Sequence, residues 1–429
     1  MAHEQQITSG PGGRILTNYG VWSPDGEWIV YDTRSDPAGD VFDGRRIEMV
    51  NAHTREVRVL YESRNGASCG VVTWHPREPR VCFILGPEHP TPDWQYGPSR
   101  RQGVIVDVRY PGVVAPLDAR DMVPPFTPGA LRGGSHVHVW SPDGGLVGFT
   151  YEDQILPNMA LGDSDINQRN VGVAILGRPV AVPRSHPRNH DGSAFSVLAT
   201  RTVNSPHAGT NEISKAFEEA WVGLNGYLRP DGSRQEKALA FQGHVRSLTG
   251  ETLSEVFIVD LSADWTIPGN GPLEGTTTRR PAPPAGTTQR RLTFTEPHPS
   301  PGIQGPRHWL RSSPDGSHIG FLKKDAHGIV QFWTISPNGG SPVQVTQNEF
   351  GVASTFTWHP DGRHVAFVMD GSVCITDVET GRTTRLTPRG ESVSAPRPEA
   401  CVLSPDGQKI AFVLRIDDVN QICVVTLDT

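Results

Sequence analysis

The stretch Val21-Trp22-Ser23-Pro24-Asp25-Gly26 decides the fold, because the chain keeps returning to it. It recurs as Val139-Trp140-Ser141-Pro142-Asp143-Gly144, then as Ser312-Ser313-Pro314-Asp315-Gly316, Trp358-His359-Pro360-Asp361-Gly362 and Leu403-Ser404-Pro405-Asp406-Gly407. Trp74-His75-Pro76 is a weaker copy, and His190-Asp191-Gly192 is weaker again. Proline presets φ for a turn, Asp can bond its own backbone, and Gly supplies the φ > 0 position, so the three together specify a tight hairpin. An apolar strand follows the turn, such as Trp28-Ile29-Val30-Tyr31 or His364-Val365-Ala366-Phe367-Val368. A third strand comes next, as in Val373-Cys374-Ile375-Thr376-Asp377-Val378, and then a short fourth, as in Arg385-Leu386-Thr387. Four antiparallel strands repeating every ~45 residues are the signature of a propeller blade.

The fold class is therefore all-β, a propeller of four-stranded blades spanning 1–429 as a single domain. Third-strand candidates lie near Ile47, Val104, Val173, Trp221, Phe257, Phe332, Ile375 and Val424, which points to seven or eight blades, with eight slightly preferred. The last unit stops at its third strand, Ile422-Cys423-Val424-Val425, and the absent fourth is read at the other end, as Arg14-Ile15-Leu16-Thr17. An N-terminal strand that completes the last blade removes the open edges. The segment 211–221 is the best helix candidate, and 268–289, rich in Pro, Gly and Thr, reads as a flexible loop within the domain.

Composition agrees with this architecture. The 46 Gly and 38 Pro exceed the roughly 50 such residues that average usage would give a chain of this size, which argues against a helix-rich protein. A formal net charge of −7 without a long block of one sign does not suggest a nucleic-acid groove. No run approaches the ~18 apolar residues a membrane helix needs, and the first residues carry no basic flank before an apolar stretch, so a cytoplasmic location is the expectation. Five widely spaced cysteines with no C-x-x-C pair read as reduced, buried strand residues. Neither a G-x-S-x-G elbow nor a G-x-x-x-x-G-K-[ST] loop occurs, so no nucleotide cofactor is expected.

The repeats resemble those of TolB-like beta-propellers over most of the chain, and the middle, from Asn167-Gln168-Arg169-Asn170 to Ala240-Phe241-Gln242-Gly243, resembles a TolB-related family of unknown function. In a propeller the inner strand starts at the face that also carries the loops between second and third strands. Those loops are read as long at 33–45, 86–102, 152–169 and 200–217, which marks one side of that face as a binding cleft. Counting five residues back from the Ser or His of each turn gives Asn18, Gly70, His136, Arg184, His308, Ser354 and Glu399 as a mostly polar ring at the channel mouth. His136 and His138 form H-x-H on a strand, a spacing that turns both imidazoles to one face, and His308 would add a third nitrogen. Such a set suits a divalent metal, manganese, zinc or iron. His190 and His207 sit in loop-like sequence and read as solvated, while His75 and His359 occupy the turn and read as structural.

Two functions follow. The first is a metal-assisted enzyme, a lyase or hydrolase, acting on a small polar, sugar-like and anionic ligand. Glu218, Arg307 and Arg201 are its catalytic candidates, Asn18, Arg184 and Glu399 its substrate-binding ones, and His136, His138 and His308 its metal ligands. It is prompted by a distant resemblance to oligogalacturonate lyases, cytoplasmic propellers whose histidine-bound metal polarises a uronate carboxylate so that a base removes the neighbouring proton. Here Gly133 stands where their glutamine would fall relative to His136. The alternative is a non-catalytic propeller that serves as a scaffold for a protein or small ligand.

Overall fold

Each Ser-Pro-Asp-Gly turn closes on itself before it joins two strands. In the first, Gly26 N–H donates to the Ser23 carbonyl at 2.9 Å, Glu27 N–H to Asp25 Oδ1 at 3.0 Å, and Trp28 N–H to Ser23 Oγ at 2.9 Å. Ser23 Oγ–H also donates to Asp25 Oδ1, and this Ser–Asp bond recurs at Ser141–Asp143, Ser313–Asp315 and Ser404–Asp406, at 2.5, 2.6 and 2.5 Å. Gly26, Gly144, Gly316, Gly362 and Gly407 all take positive φ, between 69° and 80°. These local bonds fix the register of the hairpin before any long-range contact forms.

In the computed structural model, residues 3–36, 38–306, 309–391 and 394–427 are described, and they build seven four-stranded antiparallel blades. The inner strands are Gly13–Ile15, Cys69–Trp74, Gly133–Trp140, Ala216–Trp221, Arg311–Ser312, Thr357–Trp358 and Cys401–Leu403. The preference for eight blades is corrected to seven: Trp221, counted as a third strand, lies on the inner strand of the fourth blade, and the 211–221 helix is not formed. That blade hides its repeat because 222–237 carries a small hairpin of its own, Tyr227–Leu228 with Arg234–Gln235, between its first two strands.

Closure is made by a different strand from the one expected. His3–Gln6 pairs with Val419–Thr426 as the fourth strand of the last blade, whereas Gly13–Ile15 opens the first blade. The segment 268–289 joins the third and fourth strands of the fourth blade and is tied to the third. Arg132 donates from Nη2 to the Arg279 carbonyl at 2.8 Å and from Nη1 to Thr276, while Arg280 donates from Nη2 to the Ile166 carbonyl at 3.1 Å.

Neighbouring blades interlock through their inner strands. Trp22 Nε1–H donates to the Val402 carbonyl at 2.9 Å, Trp221 to Val139 at 2.9 Å and Trp358 to Arg311 at 3.1 Å, each reaching the preceding blade. At the turns, His75 Nε2 meets the Gly144 carbonyl at 3.2 Å and His359 Nε2 the Gly407 carbonyl at 3.1 Å, clasping one blade to the next. Side chains such as Phe83, Phe149, Phe241, Phe321 and Phe367 fill the spaces between sheets and are fully buried, each worth ~1.5–3 kcal/mol of burial.

Candidate functional site

The two ends of the channel differ in chemistry because different parts of the repeat reach them. The lower mouth, where the Pro-Asp-Gly turns converge, is an apolar funnel of about 300 Å³ lined by Trp22, Trp74, Trp140, Trp358, Leu224 and the turn prolines. The upper mouth, where the inner strands begin, is polar. Arg311 stands between the two. It is buried on the inner strand of the fifth blade, and its Nη2 donates across the axis to Asn18 Oδ1 at 2.5 Å. Its guanidinium carbon lies 4.9 Å from the Tyr19 ring centroid and 5.9 Å from that of Trp309.

Three consecutive inner strands are bulged at their upper ends, between Gly70 and Thr73, His136 and Val139, and Phe217 and Ala220. The extra residues, Val71, Val137 and Glu218, take φ of 58°, 56° and 57°. A non-glycine residue in this region costs ~1–3 kcal/mol, so three in equivalent places are held by the surrounding ring. Val71 and Val137 line the upper channel cavity, and the equivalent place in the fourth blade presents the carboxylate of Glu218.

One side of this mouth is acidic. A cavity of about 260 Å³ is lined by Asn18, Asp32, Arg34, Asp40, Trp309 and Glu399, so the sequence-named Asn18 and Glu399 do come together. Asp32 and Arg34 form a buried pair at 2.6 Å, and burial raises the Asp32 carboxyl while Arg34 opposes the rise. Arg397 bridges Asp40 and Glu399, at 2.9 and 3.2 Å.

The other side is basic. His136 is buried, and its Nδ1 has no hydrogen-bond partner. Burial, together with Arg101, Arg169 and Lys215 around it, drives its pKa well below the usual histidine range and keeps the imidazole neutral. Burial also lowers Lys215, with Arg169 pushing the same way and Glu218 and Glu152 opposing. Lys215 Nζ sits 4.2 Å over the Phe217 ring, and Arg169 pairs with Glu152 at 2.6 Å. Gln242 Nε2 donates to Glu218 Oε2. A neutral imidazole, a lysine of lowered pKa and a carboxylate within one charged cluster have the composition of an acid–base site with an anion clamp.

The bulge overturns the shared face of the H-x-H pair. With Val137 inserted, His138 turns toward the second blade, where a Cβ on Gly103 would meet its Nε2 at 2.5 Å. There it is sealed at 0% exposure, with Ser135 Oγ at 3.0 Å, and Ser135 bonds Asp118. His138 is therefore directed toward the second blade, with Ser135 on its Nε2, and the cations around His136 oppose a divalent ion beside it. His308 and Arg307 lie outside the described residues. Among the described residues, His359, Asp361 and His364 bring ligand atoms within 4.8 Å of one another at a lower turn. His359, however, uses Nε2 on the Gly407 carbonyl and accepts the Asp361 N–H on Nδ1, at 3.1 and 3.2 Å, so it serves the clasp between blades.

Two further expectations are displaced outward. Arg184 is not on an inner strand; it follows the third strand of the third blade and is an exposed partner of Asp191 at 2.8 Å. Arg201 is exposed, its backbone paired with the Gln289 side chain of the outermost strand of the fourth blade. The loop 200–217 joins the third blade to the fourth rather than the second strand of a blade to its third. His190, read as solvated, is half-buried, and burial lowers it to about 4. Lys215, Arg169 and Arg311 escaped the sequence reading because single cations carry no spacing pattern. The one available signal was that Lys215 and Arg169 precede inner and third strands on the long-loop face.

Residues 68–190 match the model of a family described as a protein of unknown function, DUF3748. The uncharacterized protein YidR of Escherichia coli is 45% identical over 413 residues, covering 95% of this chain and 94% of its own. An oligogalacturonate lyase solved in complex with manganese has a TM-score of 0.57 at 12% identity, covering 100% of this chain and 93% of its own. A puromycin hydrolase gives 0.54 at 13% identity, covering 97% of this chain and 52% of its own. At these identities the last two likenesses are of fold.

Proposed function

The chain belongs to the family of YidR, and from the site itself we propose its function: binding of a small, hydroxylated, carboxylate-bearing ligand at the upper channel mouth, with acid–base chemistry upon it. The observation that carries this reading is the buried, unpartnered His136 Nδ1 among Arg101, Arg169 and Lys215, beside the bulged Glu218. Arg169 and Lys215 would receive the carboxylate, and Glu218 would move the proton next to it. The neutral His136 would bond a hydroxyl, and the opposite wall of Asp32, Asp40 and Glu399 would accept the remaining hydroxyl donors. The shared fold with an oligogalacturonate lyase makes uronates the first class to try. No step is routed through a metal.

Calorimetry with galacturonate and digalacturonate, paired with an ultraviolet assay for an unsaturated product, tests the reading. Lys215→Ala is expected to weaken binding by roughly tenfold, whereas Glu218→Gln keeps binding and abolishes turnover. Wild-type affinity in Lys215→Ala, or no saturable uronate binding at all, refutes it. The scaffold alternative has one observation in its favour, the apolar lower funnel with Leu224 exposed within it. Leu224→Asp would impair peptide capture there and leave uronate binding unchanged.

A further inference from the structure

A groove on the outer side of the ring gathers four arginines. It has a volume of about 730 Å³, within the ~300–1,000 Å³ of small-molecule sites. Its walls are the outermost strands of the first two blades, Val57–Glu62 and Val114–Pro116, together with 86–89 and 187–190. Trp94 stands in it, with the guanidinium carbons of Arg100, Arg120 and Arg188 at 5.1, 5.9 and 5.5 Å from its ring centroid. Arg64 adds a fourth guanidinium to the lining.

The hydrogen bonds these arginines make go to neutral acceptors. Arg100 donates from Nε to Gln154 Oε1 at 3.2 Å, Arg120 from Nη2 to the Arg101 carbonyl at 2.5 Å, and Arg188 to the carbonyls of Glu88 and His89 at 2.8 and 3.0 Å. Among the described residues none of the four forms an ion pair. Of the acids in the lining, Glu62 is already paired with Arg46 at 3.0 Å, which leaves Glu88. Arg120 is buried at 6% exposure, and the buried Asp118 carboxylate only partly opposes the drop that burial imposes on it, so a further anion at its guanidinium is favoured. In a chain of net charge −7, four such cations in one concavity are a local reversal of sign that would steer anions to it. The indole fixes the guanidinium planes and offers apolar surface to a sugar ring. Trp94, Arg100, Arg120 and Arg188 all fall within 68–190, the segment that matches the family model.

We propose that this groove is a second ligand site, separate from the channel mouth, for a carbohydrate-sized molecule bearing two or more negative charges, as carboxylates or phosphates.

Titration of the full chain with pyrophosphate, citrate and digalacturonate tests it, the three probes separating phosphate from carboxylate and from sugar. Arg188→Gln and Arg100→Gln are each expected to weaken the preferred probe by roughly tenfold and to flatten its salt dependence. Trp94→Leu should weaken digalacturonate more than pyrophosphate. Lys215→Ala, at the channel mouth, is the control: it should remove only the channel class of digalacturonate sites and leave the groove class, and all pyrophosphate binding, intact. Arg188 and Arg100 are not buried in the core, and a melting temperature within about 2 °C of wild type establishes that each variant is folded. Loss of pyrophosphate binding in Lys215→Ala with retention in the groove variants places the anion in the channel and overturns the proposal. Equal loss of pyrophosphate binding in both sets, or no saturable binding of any probe, overturns it as well.

Discussion

Replacing Glu219 by glutamine turns one buried carboxyl into a readout of the propeller interior. Glu219 is fully buried between the third and fourth blades; Thr150 Oγ1–H donates to its Oε2 at 2.8 Å, and Oε1 has no partner. Burial raises its pKa from 4.5 to about 7, against the opposing pull of the Thr150 bond and Arg311. A raised carboxyl favours the folded state fully below 4.5 and loses that contribution as pH climbs through 7. At roughly 1.4 kcal/mol for each pH unit of displacement, the full loss is about 3.5 kcal/mol, of which a little under ~3 kcal/mol falls above pH 5. For 429 residues the unfolding entropy is about 0.9 kcal/mol/K, so 3 kcal/mol corresponds to roughly 3 to 4 °C of melting temperature. Glutamine keeps the acceptor for Thr150 and does not titrate. Thermal melts of both proteins from pH 5 to pH 8 should therefore show the wild type falling by about 3 °C more than Glu219→Gln, with the variant the more stable at pH 8. A gap between the two that stays constant across this range refutes the reasoning, since every other titrating group is common to both.

The clasps between blades give a second expectation. Gly144→Ala should destabilise more than His75→Ala, because a Cβ at Gly144 meets His75 Nε2 at 2.2 Å and φ there is +80°. His75→Ala loses one bond, ~1 kcal/mol, and urea melts would rank them. The five cysteines are free and buried. A thiol reagent should thus titrate none of them in the native protein and all five after denaturation, and a fast-reacting thiol in the native state would contradict the burial.

What was legible in the sequence was what local chemistry dictates. Pro-Asp-Gly names its own turn, and the apolar strands after it name the blade, so six of the seven inner-strand and second-strand hairpins are visible from the turn motif or its weaker copy. The fourth escaped because the Pro-Asp-Gly at 230–232 belongs to an inserted hairpin and not to the blade turn. The closing strand was misplaced for a related reason: His-Glu-Gln-Gln at 3–6 is polar, as outermost strands such as Thr288–Arg291 and Thr383–Arg385 are, whereas Arg14-Ile15-Leu16-Thr17 carries an apolar pair, Ile15 and Leu16, at its centre. The histidine pair failed for a deeper cause. Period-two reasoning holds only in an unbroken strand, and no residue type announces that a valine will sit at φ 56° and reverse every side chain beyond it.

The seam between the chain's two ends has a mechanical consequence. His3 lies opposite Thr426 and Gln6 opposite Cys423, so both ends emerge from the same extremity of one antiparallel ladder. Force applied through the termini therefore acts on one pair of residues at a time, peeling the seam open from His3 in the manner of a zip. A grip shifted to the far extremity of that ladder would meet the same peeling geometry from the other side. The join that makes the wheel continuous is thus the first to take such a load, one residue pair at a time.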